Sequence, residues 1–296
     1  MSIGQRAFPM LSARIARQFN ALSQFVEITM QPMLRIAVNA ARAAGEIISR
    51  AYSNLDRLKI ENKTGNDFVT EVDRAAEIAV ISTVRTSYPD HQFIGEEFGE
   101  QGDENSDVKW IIDPIDGTTN FTRGIPQFAV SIAVQIKGKI EHAVIYDPIK
   151  NEEFTASRGR GAQFNGRRMR VSNQKSLSGS LLVTGIPFTP ETLPHIDVYH
   201  ACAKALLEKN SAGIRRPGAA SLDLAYLAAG KFDGFWEMNL KIWDIAAGVL
   251  LVREAGGLIS DLSGGESYLK SGNIVAASPK VFKSMLPIVK QHLGHI

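Results

Sequence analysis

The sequence predicts an α+β chain of two packed sub-domains, and three observations support this fold class. Apolar residues recur at helical spacing from Leu34 to Ile48, which predicts an amphipathic helix. Strand-like alternation follows after Gln127, and helices and strands then mix in the second half. We place the division between the sub-domains near residues 172–180. The predicted units are 1–29, 30–176 and 177–296.

The composition of the 296-residue chain is that of an ordinary globular protein, with 44% hydrophobic and 22% charged residues. A net charge of +2 gives by itself no case for a nucleic-acid or membrane partner. The single cysteine, Cys202, excludes an intramolecular disulfide framework and favours a reducing compartment. No apolar run approaches the roughly 20 residues of a membrane-spanning helix. We therefore expect a cytoplasmic protein with no membrane partner.

Residues 1–29 differ from the rest of the chain, because they carry three arginines against one acid, Glu27. Apolar residues recur there at helical spacing from Leu11 to Val26. Such a basic amphipathic segment has two interpretations. It is either a transit peptide or the product of a start assigned too far upstream, with Met30 as the true first residue. We favour the second.

Two amphipathic helices are predicted early in the chain, at residues 34–52 and 70–88. A short strand at 92–95 leads into a polar stretch, 99–107, which we expect to be a solvated loop. The next strand covers Lys109 to Ile112 and should be cut off at Asp113 and Pro114, because proline cannot continue a central ladder.

Alternation then predicts three strands, followed by a hairpin turn at Asn165 and Gly166. These strands cover residues 127–136, 140–146 and 152–156. Two further helices are expected, and a strand follows each of them. In chain order these elements are a helix at 219–230, a strand at 234–238, a helix at 243–255 and a strand at 258–261.

The segment WIIDPIDGTTN at residues 110–120 carries the strongest chemical signal. Asp113 and Asp116 leave the end of an apolar strand, and Gly117 permits an unusual turn. Backbone N–H groups of a turn or helix beginning at Thr118 suit a phosphate oxyanion. Hard oxygen ligands beside such a cradle indicate Mg2+ and a phosphate ester. The alternative is a strand-ending turn in which both aspartates bond only to nearby backbone.

Further acids have to complete such a site, because Mg2+ prefers six oxygen ligands. Glu96 and Glu97 stand together at a predicted strand end, where a solvated charge pair is the alternative. Asp73 and Asp244 lie near predicted helix starts, where capping would also explain them. Glu237 interrupts an apolar run, where a charge is costly unless it meets a partner or a ligand.

Four segments together resemble the inositol monophosphatase family, and the resemblance covers nearly the whole chain from Met30 onward. They are Lys63 with DFVTEVD at 67–73, IGEE at 94–97, WIIDPIDGTTNF at 110–121 and WDIAAG at 243–248. The resemblance implies a layered α/β/α/β/α sandwich of the sugar-phosphatase type and a homodimer. It also implies Mg2+-dependent hydrolysis of myo-inositol monophosphate or a similar polyol phosphate. The bacterial branch of the family includes Nus-type factors for antitermination of ribosomal RNA transcription.

The resemblance assigns a role to each matching position. The implied metal ligands are Glu96, Asp113, the carbonyl of Ile115, Asp116 and Asp244. The implied catalytic residues, which orient and deprotonate a water, are Glu96, Thr118 and Asp73. The implied substrate contacts are Asp116, Gly117, Thr118, Gly218, Ala219, Ala220, Glu237 and Asp244. Family members usually carry Ser or Thr where this chain has Ala219, so one hydroxyl of the implied polyol-binding site is missing here.

Five arginines surround the predicted hairpin turn, and we call them the arginine patch: Arg158, Arg160, Arg167, Arg168 and Arg170. The patch indicates either a solvated hairpin that attracts anions or a contact with RNA or RNA polymerase in a Nus complex. A non-enzymatic hypothesis therefore stands beside the phosphatase, namely an antitermination factor whose phosphatase activity is incidental. A third hypothesis changes the substrate to a nucleotide 3′-phosphate or a sugar bisphosphate. Glu237 argues against it, since a second phosphate favours Arg or Lys.

Overall fold

The computed structural model describes residues 31–55, 60–64 and 67–296. The leader predicted at residues 1–29 lies outside these described residues. Within the described ranges the chain forms eight α-helices and three sheets. In those ranges, no helix is both long enough and apolar enough to cross a lipid bilayer.

The helices and strands expected from periodicity are present, in most cases within three residues of their predicted bounds. The first half contains α1 (Pro32–Tyr52), β1 (Ile60–Thr64), β2 (Asp67–Thr70), α2 (Glu71–Arg85), β3 (Gln92–Gly95), β4 (Gly99–Gln101), β5 (Val108–Asp116), α3 (Thr118–Thr122), β6 (Ala129–Ile136), β7 (Lys139–Asp147), β8 (Glu152–Ser157), β9 (Gly161–Phe164) and β10 (Arg167–Met169). The second half contains β11 (Leu181–Thr184), α4 (Ile196–Leu207), β12 (Gly213–Arg215), α5 (Ala220–Ala228), β13 (Gly234–Glu237), α6 (Ile242–Glu254), β14 (Leu258–Ser260), α7 (Tyr268–Ser271), β15 (Ile274–Ala277) and α8 (Pro279–Leu293).

The largest sheet has eight strands in the order β10-β9-β8-β7-β6-β5-β3-β4. Helices α1 and α2 cover one of its faces, where Ile48 and Val80 pack with strand residues such as Trp110 and Ile132. All four of these side chains are fully buried. The burial of this apolar surface is the main free-energy contribution that holds the helices on the sheet.

Helices α5 and α6 fill the space between this sheet and a five-stranded sheet of order β12-β11-β13-β15-β14. Leu224 of α5 and Leu250 of α6 share one core with Ile145 of the large sheet and Phe235 of the small one. Both helices are apolar on nearly every side, as a helix between two sheets has to be.

Helices α4 and α8 cover the outer face of the five-stranded sheet, where Cys202 and Val281 pack with Trp236. Burial raises the pKa of the Cys202 thiol to about 12, which fits a side chain that serves packing. The layers therefore follow the order α/β/α/β/α, and the predicted layered sandwich is confirmed. The sub-domain boundary at residues 176–177 stays a prediction, although the two large sheets divide between β10 and β11.

Two local predictions are wrong. Residues 99–107 are not entirely loop, because β4 pairs antiparallel with β3 through Gly99 to Gln101. The strand β5 does not end at Ile112 but continues through Asp113 and Pro114 to Asp116. Its register against β6 shifts between the two aspartates. A proline at such a bulge interrupts no ladder hydrogen bond, which is why the strand tolerates it.

A ring stack lies at the start of β3, beside the large sheet. The indole Nε1 of buried Trp110 donates a hydrogen bond of 3.0 Å to Nδ1 of His91. The His91 ring also stacks on Tyr88, with 4.7 Å between ring centroids. Partial burial lowers the pKa of His91 below 6.5, although the charge of Asp90 acts in the opposite direction. A protonated imidazole has no lone pair left to accept the indole proton.

We predict that protonation of His91 makes the protein less stable below pH 6.5. The unfolded chain takes up this proton at the ordinary histidine pKa, whereas the folded chain takes it up only at lower pH. The free energy of unfolding therefore falls as pH falls through this interval. Urea unfolding at several pH values measures it. A His91→Phe variant should lose this part of the pH dependence, and an unchanged dependence would contradict the account.

Candidate active site

The end of β5 holds two buried aspartates. Asp113 is 2% exposed and Asp116 is 9% exposed. The Ile115 N–H donates a 3.0 Å hydrogen bond to Oδ1 of Asp113. Gly117 then turns the chain into α3 with a φ of 97°, a left-handed conformation that favours glycine. A Cβ on Gly117 would also lie 2.9 Å from the carbonyl oxygen of Gln127, so this turn requires a glycine.

The first residue of α3 faces an acid from α2. The Thr118 hydroxyl lies 3.1 Å from Oδ1 of Asp73 and 3.0 Å from the carbonyl oxygen of Ile115. Asp73 is 1% exposed, so its carboxylate is a buried acceptor for this hydroxyl. The fold therefore brings Asp73 and Thr118 together, as the resemblance implied.

Glu96 and Asp244 complete a group of four acids that we call the carboxylate cluster: Glu96, Asp113, Asp116 and Asp244. Burial is the main cause that raises the pKa of Asp113 well above its usual range, and the charges of the other three acids raise it further. Glu96 is close enough to share a hydrogen bond with Asp113. Burial raises the pKa of Asp244 as well, with the charge of Asp116 as the next cause. The fold thus concentrates negative charge at one point.

Hydrogen bonds to backbone orient three of these carboxylates. Oδ1 of Asp113 accepts from Ile115, Oδ2 of Asp116 from Ser221 and Oδ2 of Asp244 from Lys241. Among the described residues, no three His, Cys, Asp or Glu side chains already stand as a closed metal-binding group. The donor chemistry nevertheless fits Mg2+, because carboxylate oxygens are the hard ligands that Mg2+ binds.

Asp244 shows why capping and site membership are compatible. It is the third residue of α6, and its carboxylate accepts the N–H of the N-cap residue Lys241 at 2.7 Å. Asp244 is therefore not the N-cap itself, as the sequence alternative had it, but the capping-box partner of Lys241. The same bond fixes a carboxylate that acts electrostatically on Asp113.

Glu237 lies at the end of β13 and faces the cluster. Burial raises the pKa of Glu237 to about 8, and the charge of Asp116 raises it as well. The Arg216 guanidinium and the Gly185 N–H act in the opposite direction. A Cβ on Gly185 would overlap the Glu237 carboxylate, so glycine permits this approach. The charge that interrupts an apolar strand thus points toward the same site.

Asn120 ties the predicted substrate-binding turn to α3. Its Nδ2 lies within hydrogen-bonding distance of the carbonyl oxygens of Gln127, Pro217 and Gly218, at 2.8, 2.9 and 3.2 Å. The turn continues into α5, whose N-cap is Ala219. Gly218, Ala219 and Ala220 are therefore held beside Gly117, since the Ala219 Cβ is 3.3 Å from where a Gly117 Cβ would lie.

Sequence reasoning missed three residues of this region. Glu77 is fully buried and accepts hydrogen bonds from the N–H groups of Glu97 and Phe98, at 2.9 and 3.2 Å. Asp223 is 1% exposed, and its Oδ1 has no hydrogen-bond partner among the described residues. Ser221 bonds to Asp116. The sequence offered a signal for Glu77 and Asp223, because each places a charge on an otherwise apolar helix face. It offered no signal for Ser221.

The arginine patch lies elsewhere. The predicted hairpin turn is confirmed, because β9 and β10 pair and both Asn165 and Gly166 have positive φ. All five arginines are exposed, although Arg158 is anchored to Ile140 and Glu141. The edge strand β10 is separated from β5 by four strands. The fold therefore does not bring the patch to the carboxylate cluster.

Comparisons with known proteins identify the class. The model of the inositol monophosphatase family matches residues 29–293, and the chain belongs to this family. The Nus factor SuhB of Pseudomonas aeruginosa is 54% identical over 266 residues, which cover 89% of this chain and 98% of that protein.

Two solved structures are also similar. The extragenic suppressor protein suhB from Bartonella henselae superposes with a TM-score of 0.85 at 42% identity, covering 89% of this chain and all of that one. The inositol monophosphatase from Anabaena sp. PCC 7120 has a TM-score of 0.78 at 35% identity and covers 90% and 99%. The family resemblance seen in the four sequence segments is thereby confirmed.

We predict that Glu77→Gln destabilises the protein by about 1–3 kcal/mol, because an amide offers one acceptor oxygen where the carboxylate accepts two backbone N–H groups. Urea unfolding measures the change. Glu46→Gln, on the exposed face of α1, is the matched control and should change stability by no more than about 0.5 kcal/mol. Equal losses of stability in the two variants would show that Glu77 does not hold the backbone at Glu97 and Phe98.

Proposed function

We propose that this chain is a Mg2+-dependent phosphomonoesterase that hydrolyses myo-inositol monophosphate or a similar polyol phosphate. The carboxylate cluster carries the proposal, since Asp113 is buried among three other acids that raise its pKa. Membership of the inositol monophosphatase family supports phosphatase chemistry. A divalent cation would offset the mutual repulsion of the four acids.

The proposed ligands of Mg2+ are Glu96, Asp113, the carbonyl oxygen of Ile115, Asp116 and Asp244. When bound there, Mg2+ would neutralise charge on the phosphate and lower the pKa of a nearby water. The remaining steps belong to the chain itself. The Thr118 hydroxyl donates its proton to Asp73. The lone pairs of the Thr118 oxygen are then left to orient that water. Glu96 would take up the proton that the water releases.

The substrate would lie between the turn after β5 and the end of β13. The N–H groups of Gly117 and Thr118 are proposed to bind phosphate oxygens, as backbone donors commonly do. Glu237 would accept hydrogen bonds from ring hydroxyls, which explains a carboxylate at the end of an apolar strand. The segment 218–220, held by Asn120, would line the same pocket. A homodimer and a cytoplasmic location stay predictions.

We expect Asp113→Asn to lower phosphate release from inositol 1-phosphate in Mg2+ by at least about 100-fold, since cation stabilisation of the transition state is worth several kcal/mol. A colorimetric phosphate assay with and without Mg2+ measures it. Asp103→Asn, in the exposed loop after β4, is the control and should keep full activity. Wild-type protein that is folded but inactive on every polyol phosphate would contradict the proposal.

A second function has its own support. The similar protein from Pseudomonas aeruginosa is named Nus factor SuhB, and a chain 54% identical over nearly its whole length is a candidate for the same role. The arginine patch is the surface that we propose for contact with RNA or RNA polymerase, because its side chains are exposed and basic. In this case transcription antitermination would be the physiological role, and phosphate release would be incidental.

The two functions separate experimentally because the arginine patch lies away from the cluster. Replacing Arg160, Arg167 and Arg168 with alanine should lower readthrough in a ribosomal RNA leader reporter while phosphate release persists. The control replaces three exposed lysines of α8, Lys280, Lys283 and Lys290, and removes the same charge from another surface. Equal loss in both variants would show that only net charge matters, and no loss in either would exclude the patch.

A further inference from the structure

The hydroxyl of Ser221 makes a bond that neither helix packing nor capping explains. Ser221 is the second residue of α5 and is fully buried. Its Oγ lies 2.5 Å from Oδ2 of Asp116, and its backbone N–H donates to the same oxygen at 2.6 Å. The two residues are 105 positions apart in the sequence. The bond therefore joins the layer of α5 to the end of β5.

Two donors on one oxygen restrict how the Asp116 carboxylate can rotate. A carboxylate oxygen offers about two lone-pair directions, and the Ser221 hydroxyl and N–H use both on Oδ2. Hydrogen bonds from or to an ionised group are stronger than neutral ones. The backbone N–H groups of Ala220 and Ser221 both bond to Asp116. The Ser221 hydroxyl adds a side-chain donor that restricts the carboxylate further, and it can be removed without changing the backbone donors.

We propose that the Ser221 hydroxyl is a positioning group that orients Asp116 for divalent-cation binding. This inference rests on the proposed function, in which Asp116 is a Mg2+ ligand. Partners of ligating carboxylates set the orientation of the ligand, and their loss weakens metal affinity. A purely structural role for Ser221 would instead affect stability and leave Mg2+ affinity unchanged.

The test compares Ser221→Ala with Ser180→Ala in the full-length protein. Ser180 is also fully buried, and its hydroxyl donates a 2.7 Å bond to the Leu177 carbonyl, away from the cluster. Both substitutions remove one buried hydroxyl, so they should lower the melting temperature to a similar extent. Isothermal titration with Mg2+, without substrate, gives the affinity.

We expect Ser221→Ala to bind Mg2+ about tenfold more weakly than the wild type, as is usual when a partner of a metal ligand is lost. Ser180→Ala should bind like the wild type. Ser221→Cys keeps the side-chain size but offers a weak donor, so it should also bind more weakly and serves if the alanine variant does not fold.

Unchanged Mg2+ affinity in the Ser221 variants, or an equal loss in Ser180→Ala, would overturn the positioning role. Wild-type protein that binds no Mg2+ at all would instead overturn the proposed function on which this inference rests. Binding by the wild type with an unaffected Ser221→Ala would leave the proposed function standing and remove only the role of Ser221.

Discussion

Repulsion among buried and half-buried carboxylates is the constraint on which the rest of this site depends. Asp113 sits at the end of a buried strand with three acids close enough to raise its pKa. Such a concentration of like charge disfavours the folded state unless protons or a cation offset it. Backbone N–H groups and a hydroxyl orient Asp113, Asp116 and Asp244, and these uncharged partners do not neutralise them. Residues that lower the stability of the folded state in this way are typical of a functional site.

The layered fold assembles the cluster from distant parts of the chain. The large sheet supplies Asp113 and Asp116, and the turn after β3 supplies Glu96. Helix α6 brings Asp244 and α5 brings Ser221 from the second half. Because α5 and α6 are packed on both sides by apolar side chains, their first turns are held rigidly against the end of β5. The packing of the central layer therefore determines the geometry of the site.

Periodicity was sufficient to predict the α+β class and the elements named from the sequence, because each of them has a face or a core to fill. It did not predict α4, β11, β15 or α8. It was not sufficient at Pro114, where a bulge lets β5 continue. The sequence also drew attention to the missing hydroxyl at Ala219 and gave no hint of the hydroxyl at Ser221. A serine reveals nothing about a partner 105 residues away until tertiary structure joins them. The roles of the site residues stay predictions.

Anomalous diffraction from crystals grown with Mn2+ tests the central claim most directly, since Mn2+ takes the same hard oxygen ligands as Mg2+. The account predicts a Mn2+ peak about 2.1 Å from carboxylate oxygens of Asp113 and Asp116, with Glu96 or Asp244 beside it. A crystal of the folded protein with Mn2+ bound elsewhere on the surface and none within the carboxylate cluster would contradict the account.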